Sequence, residues 1–289
     1  MGFVPVVDGS GGVEEVLVRT SRRLRTTSTL VLAPPARGAD GARAALLVDP
    51  GWEPDELVAI ADEVHARGAR VVAGFSTHAH HDHLLWHPGL GTDVPRWATP
   101  PAAAVARRYR ARLLAEAAAD AERYGGAGHA PEALELMGRV APIPAEERGV
   151  PDPDGLLPAS EVVQHDGHAP GHAAVWLPRS RVLVAGDMLS DVELPLPCDE
   201  TTGDENTRGG ARRDVAGYLA GLDRLAPYVA RCAVLVPGHG APTSAARERL
   251  DADRRYLEAV LGGRPADDPR LSLPGAAAED RRLRAAVGG

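Results

Sequence analysis

Residues 78–83 read His-Ala-His-His-Asp-His and follow the apolar run Val71-Val72-Ala73-Gly74-Phe75. Four imidazoles and a carboxylate in six positions are a poor way to continue a strand and a good way to end one at a metal. Imidazole is largely neutral near pH 7 and offers a nitrogen lone pair. A mixed nitrogen and carboxylate donor set suits zinc or iron better than magnesium or calcium, which favour oxygen. His78, His80 and Asp82 are two apart, so an extended segment points them to one side. His83 joins them only if the chain turns, in which case one short segment can serve two adjacent ions.

Three further polar clusters lie at the ends of β-type runs. Gly167-His168-Ala169-Pro170-Gly171-His172 separates the runs 162–165 and 174–177. Gly186-Asp187 follows 182–185, and Pro237-Gly238-His239-Gly240 follows 233–236. Runs 26–32, 44–48 and 70–75 supply strands in the first half, rich in β-branched and aliphatic residues and bounded by Pro, Gly and Asp. Helical spacing of apolar residues predicts helices over 53–68, 101–124, 131–139, 211–226 and 244–262. The proline-rich stretch 141–158 is expected to be a loop. Strands with helices in both halves predict two packed sheets with helices outside. The reading is a single domain over 1–289, with a helical cap inserted at about 100–158.

Composition removes several classes. A formal charge of −8 argues against a nucleic-acid backbone as the main partner, which needs a basic face. All 32 basic residues are arginine, so no lysine can form a Schiff base. Cys198 and Cys232 form no metal-type spacing and are expected to be free thiols, Cys198 as a small buried filler. No apolar run approaches the ~20 residues of a membrane span, and the N-terminus lacks a signal-peptide pattern, so a cytoplasmic location is expected. A small-molecule substrate is the expected partner, with homo-oligomerisation compatible with the composition.

The four clusters in this order resemble the metallo-β-lactamase superfamily. Its pattern is His-x-His-x-Asp-His, Gly-His-x-x-Gly-His, an Asp after Gly, and a His in Gly-His-Gly. Asp49, in Leu47-Val48-Asp49-Pro50-Gly51, looks like the aspartate of the family's first motif, and the resemblance spans about residues 28–245. It implies an α/β fold, a four-layer αββα sandwich of two mixed β-sheets with outer helices. It also implies that His78, His80 and His168 bind one metal, that Asp82, His83 and His239 bind a second, and that Asp187 bridges them. By itself the loop leaves His168 and His172 open as ligands; the resemblance assigns His168. Asp49 would hold the loops by hydrogen bonds, and His81 would pack. His65, His87, His129 and His165 would be structural or surface residues. Trp97, Tyr109 and Tyr124 are read as packing or substrate contacts.

The implied cofactors are two zinc ions, with iron or manganese as alternatives. The implied activity is hydrolysis of an ester-like bond by a metal-bridging hydroxide, with Asp82 orienting it and thioester or lactone favoured over phosphoester. The alternatives are a mononuclear iron persulfide dioxygenase, a β-lactam hydrolase and a non-catalytic metal-binding fold.

Overall fold

The computed structural model describes residues 2–34, 41–197 and 210–288. Cys198 lies outside them. A seven-stranded sheet runs in the order β1 (Val4–Asp8), β2 (Glu15–Thr20), β3 (Thr27–Leu32), β4 (Arg43–Val48), β5 (Ala69–Phe75), β6 (Arg96–Ala98), β7 (Ala141–Pro142). β1 to β4 pair antiparallel, and β4 to β7 pair parallel. The second sheet has four strands, β8 (Glu161–Gln164), β9 (Ala173–Leu177), β10 (Val182–Val184) and β11 (Val234–Val236), with β11 at one edge beside β10. Its β10–β11 pair is parallel and the others antiparallel. Both sheets are therefore mixed.

Side-chain alternation divides each strand between two cores. Leu46 and Val48 of β4 face Val175, Leu177, Val182 and Val184 of the second sheet, in the layer between the sheets. Ala45 and Leu47 point the other way, onto Ile60, Ala61 and Val64 of α1 (Pro54–Ala66). Ala174 and Trp176 of β9 likewise face away from the inner core. They join a cluster with Leu222, Leu257 and Leu283 of α5 (Gly210–Val229), α6 (Ala246–Leu261) and α7 (Ala276–Gly288). The result is the four-layer αββα sandwich. No described helix is long and apolar enough to cross a membrane.

The segment expected as one helix over 101–124 is two, α2 (Pro100–Arg108) and α3 (Arg110–Arg123), with Tyr109 (φ −106°, ψ 17°) at the break. The change of direction brings Ala102, Ala103 and Ala106 of α2 and Leu113 and Ala117 of α3 into one core with Ala79, Leu84 and Leu85. α4 (Pro131–Leu136) stops short of the expected 139, just before Gly138 at φ +70°. Within the expected loop 141–158, Ala141–Pro142 pairs with β6 as an edge strand, where a proline displaces no ladder bond. The sequence reading made no assignment for β1, β2, β6 or α7.

Candidate metal centre

The histidine segment leaves the C-terminal end of β5, a strand held by β4 on one side and β6 on the other. His80 is extended (φ −92°, ψ 153°), and a 3₁₀ turn then spans His81–His83. That turn decides which side chains converge. The extended spacing does not continue through Asp82; instead Asp82 and His83 sit side by side, with His83 Nε2 3.3 Å from Asp82 Oδ2. Ser76 Oγ fixes the turn by donating to the His83 carbonyl (2.9 Å).

Two donor groups form. In the first, His78 Nε2 and His168 Nε2 lie 2.9 and 3.2 Å from His80 Nδ1. In the second, His239 Nε2 is 3.4 Å from Asp82 Oδ2, beside His83. Asp187 lies between them. Its Oδ2 is 3.4 Å from His78 Nε2, 3.6 Å from His168 Nε2 and 3.3 Å from His239 Nε2, and its Oδ1 is 3.2 Å from His83 Nε2. The donor atoms of His78, His80, His168 and Asp187 all lie within 4.8 Å of one another, as do those of Asp82, His83 and His239. All seven side chains singled out in the sequence thus meet at one end of the sandwich.

The residues around the donors orient the rings. Asp49 is buried and left-handed (φ +49°), an unfavourable backbone for a side chain other than glycine. Its carboxylate accepts from Thr77 N–H (2.8 Å) and Thr77 O–H (2.7 Å) and lies 3.1 Å from His83 Nδ1. The Leu196 carbonyl lies 3.0 Å from His168 Nδ1, and the Leu24 carbonyl 3.1 Å from His239 Nδ1. Such contacts fix which nitrogen faces a metal. His172 turns away from both groups: its Nε2 accepts from the Asp187 backbone N–H (3.0 Å), and its Nδ1 lies 3.3 Å from His165 Nε2. Close approach here depends on glycine. A Cβ on Gly238 would fall on Asp187 Oδ1, and Gly186 (φ +58°) leaves room for the His172 ring.

His81 packs, as expected: it meets Trp52 edge-on, and its Nε2 pairs with Asp120 of α3 at 2.8 Å. Arg23 stacks on Tyr124 at 4.0 Å from the ring centroid, and Trp97 packs against the inner core. His65 is exposed, His87 and His129 are half-buried, and His165 is buried behind His172. One acidic neighbour escaped the sequence reading. Glu193 Oε1 lies 3.6 Å from His239 Nδ1, and its only sequence signal is a carboxylate six residues after Asp187.

The site's charge calls for a cation. Burial disfavours the His83 imidazolium, but Asp187, Asp82 and Asp49 outweigh it and hold the ring well above its ordinary pKa. His239 is raised in the same way by Glu193 and Asp187 against its burial. Burial likewise opposes ionisation of Asp82 and Asp187, yet the charge of His83 holds both carboxyls well below the usual range. Burial pushes Glu193 up to about 7. His83 Nε2 and Asp187 Oδ1 are buried with no hydrogen-bond partner, although they face each other. Once the ring proton is displaced, these two buried atoms can face one cation, and the nitrogen and carboxylate donors fit zinc, iron or manganese.

Comparison with known proteins gives one family. The model described as the metallo-beta-lactamase superfamily matches residues 27–239. Among solved structures, a beta-lactamase domain protein from Burkholderia ambifaria is similar at 22% identity and a TM-score of 0.57, over 90% of this chain and 75% of that one. A metallo-beta-lactamase family protein from Thermus thermophilus is similar at 23% identity and a TM-score of 0.57, over 87% of this chain and 81% of that one. At these identities the likeness is one of fold. A search of curated proteins returns no match.

Proposed function

Because the chain belongs to the metallo-beta-lactamase superfamily, we propose that it is a hydrolase working with two divalent metal ions, zinc by preference. His78, His80 and His168 would hold one ion, Asp82, His83 and His239 the other, and Asp187 both. The observation that carries this reading is the Asp187 carboxylate, with Oδ2 toward His78, His168 and His239 and Oδ1 toward His83. Asp82, His83 and His239 give a second ion its own set of donors.

When bound, the ions would supply a Lewis acid for the substrate oxygen and lower the pKa of water from about 15.7 to roughly 7. The chain's own residues do the rest. Asp82, within 3.4 Å of His239 and 3.3 Å of His83, would bind the second ion and orient the attacking water. Asp187 balances positive charge between the two groups. Asp49 and Thr77 keep the His83 ring turned toward Asp187.

The substrate is an ester-like compound, a thioester or lactone ahead of a phosphoester. Glu193 lies 3.6 Å from His239, with its side chain 27% exposed. Where Glu193 is ionised, a phosphoester would bring negative charge against it, whereas a thioester or lactone brings none. The segment 100–158 is read as the cap that shapes specificity. The apolar side chains of α2 and α3 are taken up in packing against Leu84 and Leu85, so this cap acts through its rim and not through an apolar lining.

A panel of thioesters, lactones and phosphodiesters, run beside oxygen uptake on a persulfide, tests the reading. Turnover of a thioester or lactone at least tenfold above the phosphodiesters is expected. Oxygen uptake on the persulfide without hydrolysis would replace it with iron dioxygenase chemistry.

A further inference from the structure

The loop that carries Asp187 continues through Leu189 to Glu193. Leu189 is fully buried in a left-handed conformation (φ +62°). A leucine keeps such a backbone only where its surroundings over-determine it. Here they act from the side away from the metal centre. Leu189 N–H donates to Asp253 Oδ2 (3.0 Å), and Arg270 Nη1 donates to the carbonyls of Ser190 and Glu193 (both 3.0 Å). Arg270 also binds Asp253 Oδ1 (2.6 Å) and, through Nε and Nη2, Asp268 (3.0 and 2.7 Å). Tyr218 O–H donates to Asp253 Oδ2 (3.1 Å). Arg270 is 5% exposed and Asp253 1%.

The same loop reaches the second donor group. Ser190 Oγ donates to the His239 carbonyl (2.7 Å) and accepts from the N–H groups of Val192 and Glu193 (both 3.0 Å). Asp253 and Arg270 lie beyond residue 239, where the family match ends. A buried ion pair is a weak device for stability alone, because desolvation offsets most of its Coulomb energy. A planar fork of donors is well suited to holding several carbonyls and carboxylates in one geometry.

We propose that Arg270 and Asp253 are positioning residues: they clamp the 187–193 loop from behind and so set the placement of Asp187 and His239 and the affinity of the second metal site. The proposal rests on the two-ion reading above. Co²⁺ titration of the metal-free protein, followed by visible d–d absorption, tests it. Arg270→Met should weaken the later Co²⁺ step by about 10–100-fold, the range for removing a group that orients a ligand, and weaken the first step, which keeps His78, His80 and His168, by less. Arg270→Lys, which keeps a cation for Asp253 but loses the fork, should fall between. Val64→Ala, which opens the core between α1 and the seven-stranded sheet in a cluster that holds no residue of the 187–193 loop, should lower the melting temperature and leave both Co²⁺ steps as in the parent. Where Arg270→Met does not fold, Asp253→Asn should shift the later step in the same direction. Parental Co²⁺ affinities in the folded Arg270 or Asp253 variant, or an equal loss in Val64→Ala, would overturn the clamp. Uptake of a single Co²⁺ by the parent would remove the two-ion reading instead. The clamp is then judged on that one step, weakened by Arg270→Met if it stands and unchanged if it does not.

Discussion

Asp187→Ala is expected to lower kcat/KM by about a thousandfold and to cut uptake of the second ion, while the far-ultraviolet circular dichroism stays that of the parent. Among the described residues, Asp187 is the one carboxylate that both donor groups share. Removing it leaves four imidazoles, those of His78, His83, His168 and His239, facing a space that has lost its negative centre. A metal site contributes several kcal/mol of transition-state stabilisation. About 4 kcal/mol at 1.36 kcal/mol per decade gives the expected factor. The backbone should hold, because the Asp187 N–H to His172 bond involves no side-chain atom of Asp187. Asp187→Asn separates charge from shape: it keeps the size and should still lose most of the activity. Hydrolysis at the parental rate in either variant would remove the shared-carboxylate mechanism.

Stripping metal from the folded protein is expected to lower its stability by about 4 kcal/mol, the linkage value for a ligand present at a thousandfold over its dissociation constant. For a chain of this length that corresponds to roughly 7 °C in melting temperature. The loss should grow with pH. In the metal-free protein the raised pKa values of His83 and His239 stabilise the fold fully below the unfolded value of about 6.5. That contribution is lost as pH rises through their folded-state values. Metal binding displaces the same protons, so it tightens over the same range. The gap between loaded and stripped protein should therefore widen above about pH 6.5. Differential scanning calorimetry at pH 6 and pH 8.5, with and without chelator, reads it directly. A gap that is absent, or that narrows with pH, would contradict the account.

The donors were legible because of where they sit. Each cluster follows an apolar run that can only be a strand, and the glycines at 167, 171, 186, 238 and 240 mark chain reversals that bring distant segments together. What sequence spacing could not convey was the direction of the chain after His80. Extended geometry would send His83 away from Asp82; the 3₁₀ turn brings it back. His172 was ambiguous because both loop histidines follow a glycine, and only the hydrogen bond from the Asp187 amide marks its role. The break at Tyr109 was hidden because alanine and arginine favour helix on either side, and the turn is set by packing on Leu84 and Leu85. Glu193, Asp253 and Arg270 were invisible for a related reason. They act through contacts 17 to 80 residues apart in sequence, and no local pattern announces them.

The central claim is that this chain assembles two adjacent cation sites around Asp187. Elemental analysis of protein purified without chelator and then reconstituted tests it most directly. The account predicts about two zinc ions per chain in the parent and about one in Asp187→Ala. One iron per chain in the parent, or no retained metal, would contradict it.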